Sequence, residues 1–135
     1  MKIKVFADTI CGWCYIGHYR LIKAIGTFKN VVFDFEHVPY QLNPDMPKEG
    51  MNRLDYLKYK FGSKELAQPM YDNMNIEAIK EDLKFKIDSI QVTPNTKLSH
   101  ILTNLAFKKK NGHKVLKEIY DAYFSKGMDI GNADV

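Results

Sequence analysis

The first 38 residues change hydrophobic period twice, and that alternation is the tightest constraint on the fold. Ile3-Lys4-Val5-Phe6-Ala7 reads as a short strand. A helical stripe follows, with Cys14, His18, Leu21, Ile22 and Ile25 at i, i+4, i+7, i+8 and i+11, closing near Gly26. Period two then returns in Val31-Val32-Phe33-Asp34-Phe35-Glu36-His37-Val38, where Phe33, Phe35 and His37 alternate with Asp34 and Glu36. Parallel neighbours require a crossover, so strand, helix and strand in this span predict a right-handed βαβ unit. Asp8-Thr9-Ile10 supplies the turn into the helix.

Cys11-Gly12-Trp13-Cys14 stands at the helix entry. Side chains three apart on a helix are neighbours, so the two thiols fall within disulfide reach. The helix start also presents unpaired N–H groups and a positive partial charge to the first sulfur, favouring its thiolate. A low-pKa thiol with a resolving partner in the same turn is a redox device. Cys14 belongs to the apolar stripe and Cys11 to the open start, which predicts an accessible attacking sulfur and a shielded resolving one.

The chain has two cysteines, both in this motif, so none remain for structural cross-links. Structural zinc wants four ligands; there is no second pair, and His18 and His37 match no finger spacing, so no metal is expected. At 135 residues and 45% hydrophobic content, one real core can form. The net charge of +4 is spread among interleaved acids, and Lys108-Lys109-Lys110 with Lys114 and Lys117 reads as a solvated face rather than a nucleic-acid site. The first residues lack a signal-peptide pattern and no stretch has the length of a membrane span, so no membrane partner and a cytoplasmic location are expected.

From Asn52 onward the pattern is helical. Leu54, Leu57 and Phe61 form one stripe closed by Gly62. Ser63 caps a second helix carrying Leu66, Met70 and Met74, with Ile79 and Leu83 beyond and Pro69 as its kink or restart. Phe85 to Pro94 reads as an extended connector. Leu98, Ile101, Leu102 and Leu105 mark a helix ending at Asn111-Gly112. Val115, Leu116, Ile119, Ala122 and Tyr123 mark the last, ending at Gly127.

Five stretches carry a resemblance: Cys11-Gly12-Trp13-Cys14-Tyr15-Ile16-Gly17; Leu42-Asn43-Pro44-Asp45-Met46; Tyr56 to Gly62; Asn95-Thr96 with Ser99-His100; and Asp121-Ala122-Tyr123-Phe124 through Asp129-Ile130-Gly131. In this order they resemble the DsbA group of thioredoxin-like proteins, in particular its cytoplasmic FrnE-type branch, oxidoreductases associated with polyketide biosynthesis. The resemblance implies an α/β fold, a thioredoxin-like (DsbA-like) βαβ unit with an all-helical inserted domain. It divides the chain into the N-terminal half of the thioredoxin-like domain (1–45), a helical insertion domain (46–130) and a truncated return (131–135). The resemblance implies a chain that lacks the family's C-terminal β-hairpin, last helix and cis-proline loop. Pro94 leads straight into a helix and reads as a turn proline instead. The family usually has proline where this chain has Gly12. A sheet edge without its further strands predicts a homo-oligomer formed through that edge.

The activity implied is that of a thiol-disulfide oxidoreductase, with Cys11 attacking and Cys14 resolving. Its substrate would be a disulfide- or thiol-containing protein or small molecule, and no cofactor is implied beyond the redox-active disulfide. Trp13 is either a platform for an apolar substrate segment or helix-start packing. His18 reads as a core histidine rather than a pKa tuner, and Asp8 as a helix cap rather than a proton relay. His37 reads as core, His100 as structural or surface, and Met51, Met70 and Met74 as core filler. A second reading is a glutathione-dependent transferase or isomerase of the kappa and hydroxychromene-carboxylate isomerase type, with Asn43 near the glutathione. A third is a truncated, non-catalytic remnant.

Overall fold

The computed structural model describes residues 1–135. β1 (Lys2–Ala7) pairs in parallel with β2 (Asp34–Pro39), Val5 opposite His37 and Ala7 opposite Pro39, and α1 (Gly12–Ile25) crosses between them. The strand–helix–strand expectation is borne out. β2 begins later than the alternation suggests: Val31 to Phe33 lie outside it, and Val32 instead accepts a hydrogen bond from the N-terminal amine at 2.7 Å.

A second, antiparallel pair follows, β3 (Met51–Asn52) with β4 (Val92–Thr93). Between its strands run α2 (Arg53–Phe61), α3 (Lys64–Ile79) and a 3₁₀ turn at Ile87–Ser89. Asn52 caps α2 through its side-chain oxygen, which accepts from Leu54 N at 2.9 Å, and Gly62 ends it at φ +90°, where glycine costs least. Ser63 Oγ accepts from Leu66 N at 3.2 Å, the expected cap of α3. That helix runs unbroken through Pro69, so the proline removes one backbone donor without ending the element. α4 (Lys97–Lys108) and α5 (Gly112–Phe124) complete the chain.

The main core joins Tyr15 and Ile16 of α1, Met74 and Ala78 of α3, and Leu116, Ile119, Tyr120, Tyr123 and Phe124 of α5. Tyr15 stacks on Tyr120 with ring centroids 4.7 Å apart, and Phe85 on Phe124 at 4.8 Å. Each such ring removes a large apolar area from water, about 2 kcal/mol or more per side chain. Arg20 fastens α1 to α3, with Nη2 on Glu77 and Nε on Glu81, each at 2.7 Å. A smaller cluster of Met46, Tyr56, Leu57 and Ala67 lies under α2 and α3.

Several helices present faces other than those the apolar residues mark. α1 buries Tyr15, Ile16 and His18 while Ile22 is exposed; α2 buries Tyr56 and Leu57 while Leu54 is exposed. On α3, Ala67, Met74 and Ala78 are inside, and Leu66 and Ile79 face solvent. α4 is inverted. Its buried face is Ser99, His100, Thr103 and Ala106, and Leu98, Ile101, Leu102 and Leu105 are all exposed. The buried hydroxyls are satisfied within the turn, Thr103 Oγ1 on Ser99 O at 2.8 Å and Ser99 Oγ on Thr96 O at 2.9 Å, so that face enters the core at little cost. No helix is long and apolar enough to cross a membrane.

Candidate active site

Cys11 is the N-cap of α1, in extended backbone at φ −96° and ψ 106°, and its sulfur accepts the Cys14 N–H at 3.2 Å. Both cysteines are free thiols. The expected asymmetry of exposure is absent: each is half-buried, because Cys14 lies at the edge of the core rather than within it. The two thiols influence each other's ionisation. The hydrogen bond from the Cys11 thiol pulls Cys14 down to about 7 against burial, and the same bond, with burial, pushes Cys11 up. The Cys14 N–H and the helix start pull the other way, favouring the thiolate at Cys11.

Asp8 is not the helix cap that its position suggests; Cys11 takes that role, and the Asp8 carboxylate is wholly buried. Its Oδ1 accepts from Thr9 N at 2.8 Å and meets His100 Nε2 at 3.0 Å, and Oδ2 accepts from Leu42 N at 2.7 Å. Three segments are thereby tied together at the end of β1, and the Asp8 carbonyl accepts from Cys11 N at 3.2 Å. The negative charge opposes ionisation at both thiols. His100 is thus a buried structural partner rather than a surface residue, a role no local periodicity signals because its partner is distant in sequence.

His18 and His37 are buried as expected. His18 stacks on His113 at 5.3 Å, and His37 on Phe107 at 5.5 Å. Neither ring nitrogen of His37 has a hydrogen-bond partner, nor has Nδ1 of His18. Burial, with neighbouring histidines, lowers both to about 4.

Beside Cys11 and Trp13 opens a cavity of about 160 Å³, walled by Leu42, Phe61, Met70, Met74 and Phe124 among others. Trp13 is 46% exposed at its rim, the placement a substrate platform needs. Gly12 is buried, with the Met74 thioether against its Cα. Met70 therefore lines the cavity and is not core filler, whereas Met74 is both core and cavity wall. Asn43 does not line it; its Nδ2 donates to Tyr56 Oη at 3.2 Å, behind the wall. Arg53, Tyr71, Thr93 and Tyr123 also line the cavity, and no local sequence pattern marks any of the four as site residues. Their signal is tertiary: β3 and β4 bring Arg53 and Thr93 together.

The profile of the DSBA-like thioredoxin domain matches residues 2–135. The chain belongs to that family. A crystal structure of a probable DsbA oxidoreductase from Streptomyces coelicolor superposes on this DSBA-like chain with a TM-score of 0.85 and 26% identity, over 99% of this chain and 58% of that one. The uncharacterized protein YwbO of Bacillus subtilis (strain 168) is 23% identical over 135 residues, all of this chain and 62% of the relative. The DSBA-like chain thus spans about three fifths of the length of the proteins it matches. Its fold is the DsbA-like thioredoxin fold, as the sequence stretches imply.

Proposed function

We propose that this protein exchanges thiols and disulfides through Cys11 and Cys14. One observation carries the reading: two free thiols lie one turn apart at a helix start, on the rim of an apolar cavity, in a DSBA-like domain. The Cys11 thiolate attacks a substrate disulfide RS–SR, forming Cys11–S–S–R and releasing RS⁻. Cys14, deprotonated in turn, attacks the Cys11 sulfur, releases the second RS⁻ and closes the Cys11–Cys14 disulfide. The dithiol loses two electrons and the substrate gains them; the oxidised pair runs the same steps in reverse. No bound cofactor enters. The glutathione-transferase reading draws no support from Asn43, which is engaged with Tyr56 outside the cavity.

The test is a pair of variants assayed against a disulfide substrate. Cys11→Ser abolishes exchange, and Cys14→Ser accumulates a mixed disulfide visible as added mass. Wild-type turnover in Cys11→Ser overturns the reading.

A further inference from the structure

The cavity beside Cys11 holds a cation without a counter-ion. Arg53 is only 8% exposed, yet no carboxylate pairs with it. Its Nη1 donates to Thr93 Oγ1 at 3.1 Å and its Nη2 to Tyr71 Oη at 2.7 Å. The guanidinium also lies 5.5 and 5.1 Å from the ring centroids of Tyr56 and Tyr71. Its Nε has no acceptor. On the same side of the cavity Tyr123, 1% exposed, has its hydroxyl beside Arg53 and Thr93 without a well-formed hydrogen bond. Lys60 adds a second positive charge to the wall, and no Asp or Glu is there.

A buried cation without a counter-charge, and two buried donors without acceptors, form a strongly unfavourable arrangement unless something is bound. Tyrosine and cation–π contacts offset part of the cost but supply no negative charge. An anion with two acceptor oxygens answers all three. The guanidinium fork and a neutral hydroxyl suit a planar, singly charged carboxylate. Size narrows the occupant: the cavity is about 160 Å³, and a cavity of about 150 Å³ admits a molecule the size of benzene. That volume fits a few-carbon acid rather than a peptide strand.

We propose that Arg53, with Tyr123, binds the carboxylate of a small thiol- or disulfide-containing acid and so selects anionic substrates for the Cys11–Cys14 pair. The proposal rests on the exchange activity argued above and adds a substrate class to it. The carboxylate meets Arg53 and Tyr123 while the substrate sulfur reaches Cys11, which lines the same cavity, and the apolar walls that include Met70 and Phe61 receive the linking carbons.

The experiment compares three short disulfides of similar length: dithiodipropionate (anionic), hydroxyethyl disulfide (neutral) and cystamine (cationic). Pre-reduced protein is mixed with each in a single turnover, and rates are divided by those of free dithiothreitol with the same disulfide. The normalised anionic-to-neutral ratio is expected at about tenfold, the worth of one charge-assisted contact, with cystamine slowest. Arg53→Met brings the ratio near one, Arg53→Lys retains part of it, Tyr123→Phe reduces it, and high salt lowers it in the wild type. A wild-type ratio near one overturns the proposal, as does a ratio unchanged in both Arg53→Met and Tyr123→Phe. Should Arg53→Met not fold, by circular dichroism, Arg53→Lys and Tyr123→Phe decide. Should no disulfide react, the exchange reading fails, and the carboxylate site is judged by calorimetric titration of the Cys11→Ser/Cys14→Ser protein with dithiodipropionate. Saturable binding lost in Tyr123→Phe supports the site; its absence overturns it.

Discussion

The Met74 thioether lies where a side chain on Gly12 would begin. A Cβ built on Gly12 overlaps the Met74 sulfur and stands 2.9 Å from its methyl and 3.2 Å from the Phe85 ring. Helix α3 therefore closes directly on the first turn of α1, between the two cysteines. Gly12→Ala obliges the flexible end of Met74 to give way and is expected to cost about 1 kcal/mol, whereas Met74→Ala costs about 2–5 kcal/mol through the cavity it leaves. The double variant should lose clearly less than the sum, because removing Met74 makes room for the new methyl. Denaturant unfolding of the four proteins checks this, and strict additivity rejects the coupling.

Ionisation of the dithiol has a distinct signature. Ultraviolet thiolate absorbance of the reduced protein should rise with a midpoint near about 7 and stop at one thiolate per chain, the second proton leaving only at much higher pH. Two thiolates appearing together at mildly alkaline pH contradict the opposite shifts of the two thiols.

Asp8 offers a way to move that midpoint. Its charge opposes ionisation of both cysteines, so Asp8→Asn should lower the thiolate midpoint, although its single oxygen serves only one of the Thr9 and Leu42 amides that the two carboxylate oxygens hold. Asp8→Ala removes every one of those acceptors and should cost about 3–5 kcal/mol, as when one partner of a buried pair is deleted. An upward shift in Asp8→Asn contradicts the assignment.

His18 and His37 set an acid limit on stability. Their pKa values in the fold, about 4, lie below the ordinary 6.5, so the unfolded chain binds more protons between those values. Stability is fully present above pH 6.5 and is lost as pH falls through the window toward 4. At the lower end each histidine contributes a loss of about 3 kcal/mol, before any relief from mutual repulsion in the unfolded chain. His37→Phe keeps the stack on Phe107 without a titrating group and should flatten the slope of unfolding free energy against pH. An unchanged slope points to other groups.

The leucine face of α4 should tolerate charge. Leu102→Lys and Leu105→Lys lie on exposed positions and are expected to change stability by no more than about 0.5 kcal/mol. If that face joins copies of the chain, as an apolar helix surface invites, the same variants reduce self-association in light scattering at high protein concentration.

The βαβ unit was legible because strand and helix periods differ and the segments that carry them are long enough to tell apart. The Cys11–Cys14 pair was legible because its meaning is local, a spacing at a helix start. The buried face of α4 was not legible, for the opposite reason. Its Leu98, Ile101, Leu102 and Leu105 form a clean stripe, but the buried face is polar and is held by Asp8, many residues away, through His100. Periodicity finds an apolar stripe and cannot say whether the fold covers it. β3 and β4 are two residues each, too short for any period to register, so the meeting of Arg53 with Thr93 left no trace in the pattern. Asp8 looked like a cap because acids often precede helices; Cys11 holds the cap geometry itself.

The pairing of Met51 and Asn52 with Thr93 and Val92 brings the chain's entry to the helical lobe alongside its exit. Such a neck acts as a plug-and-socket joint. A different lobe fits at these four residues only if it carries its own counterparts of Met74, Ala78 and Phe85 and of the Glu77 and Glu81 partners of Arg20. Lobe and redox turn are therefore a matched set, and chimaeras between relatives should exchange Gly12 together with α3.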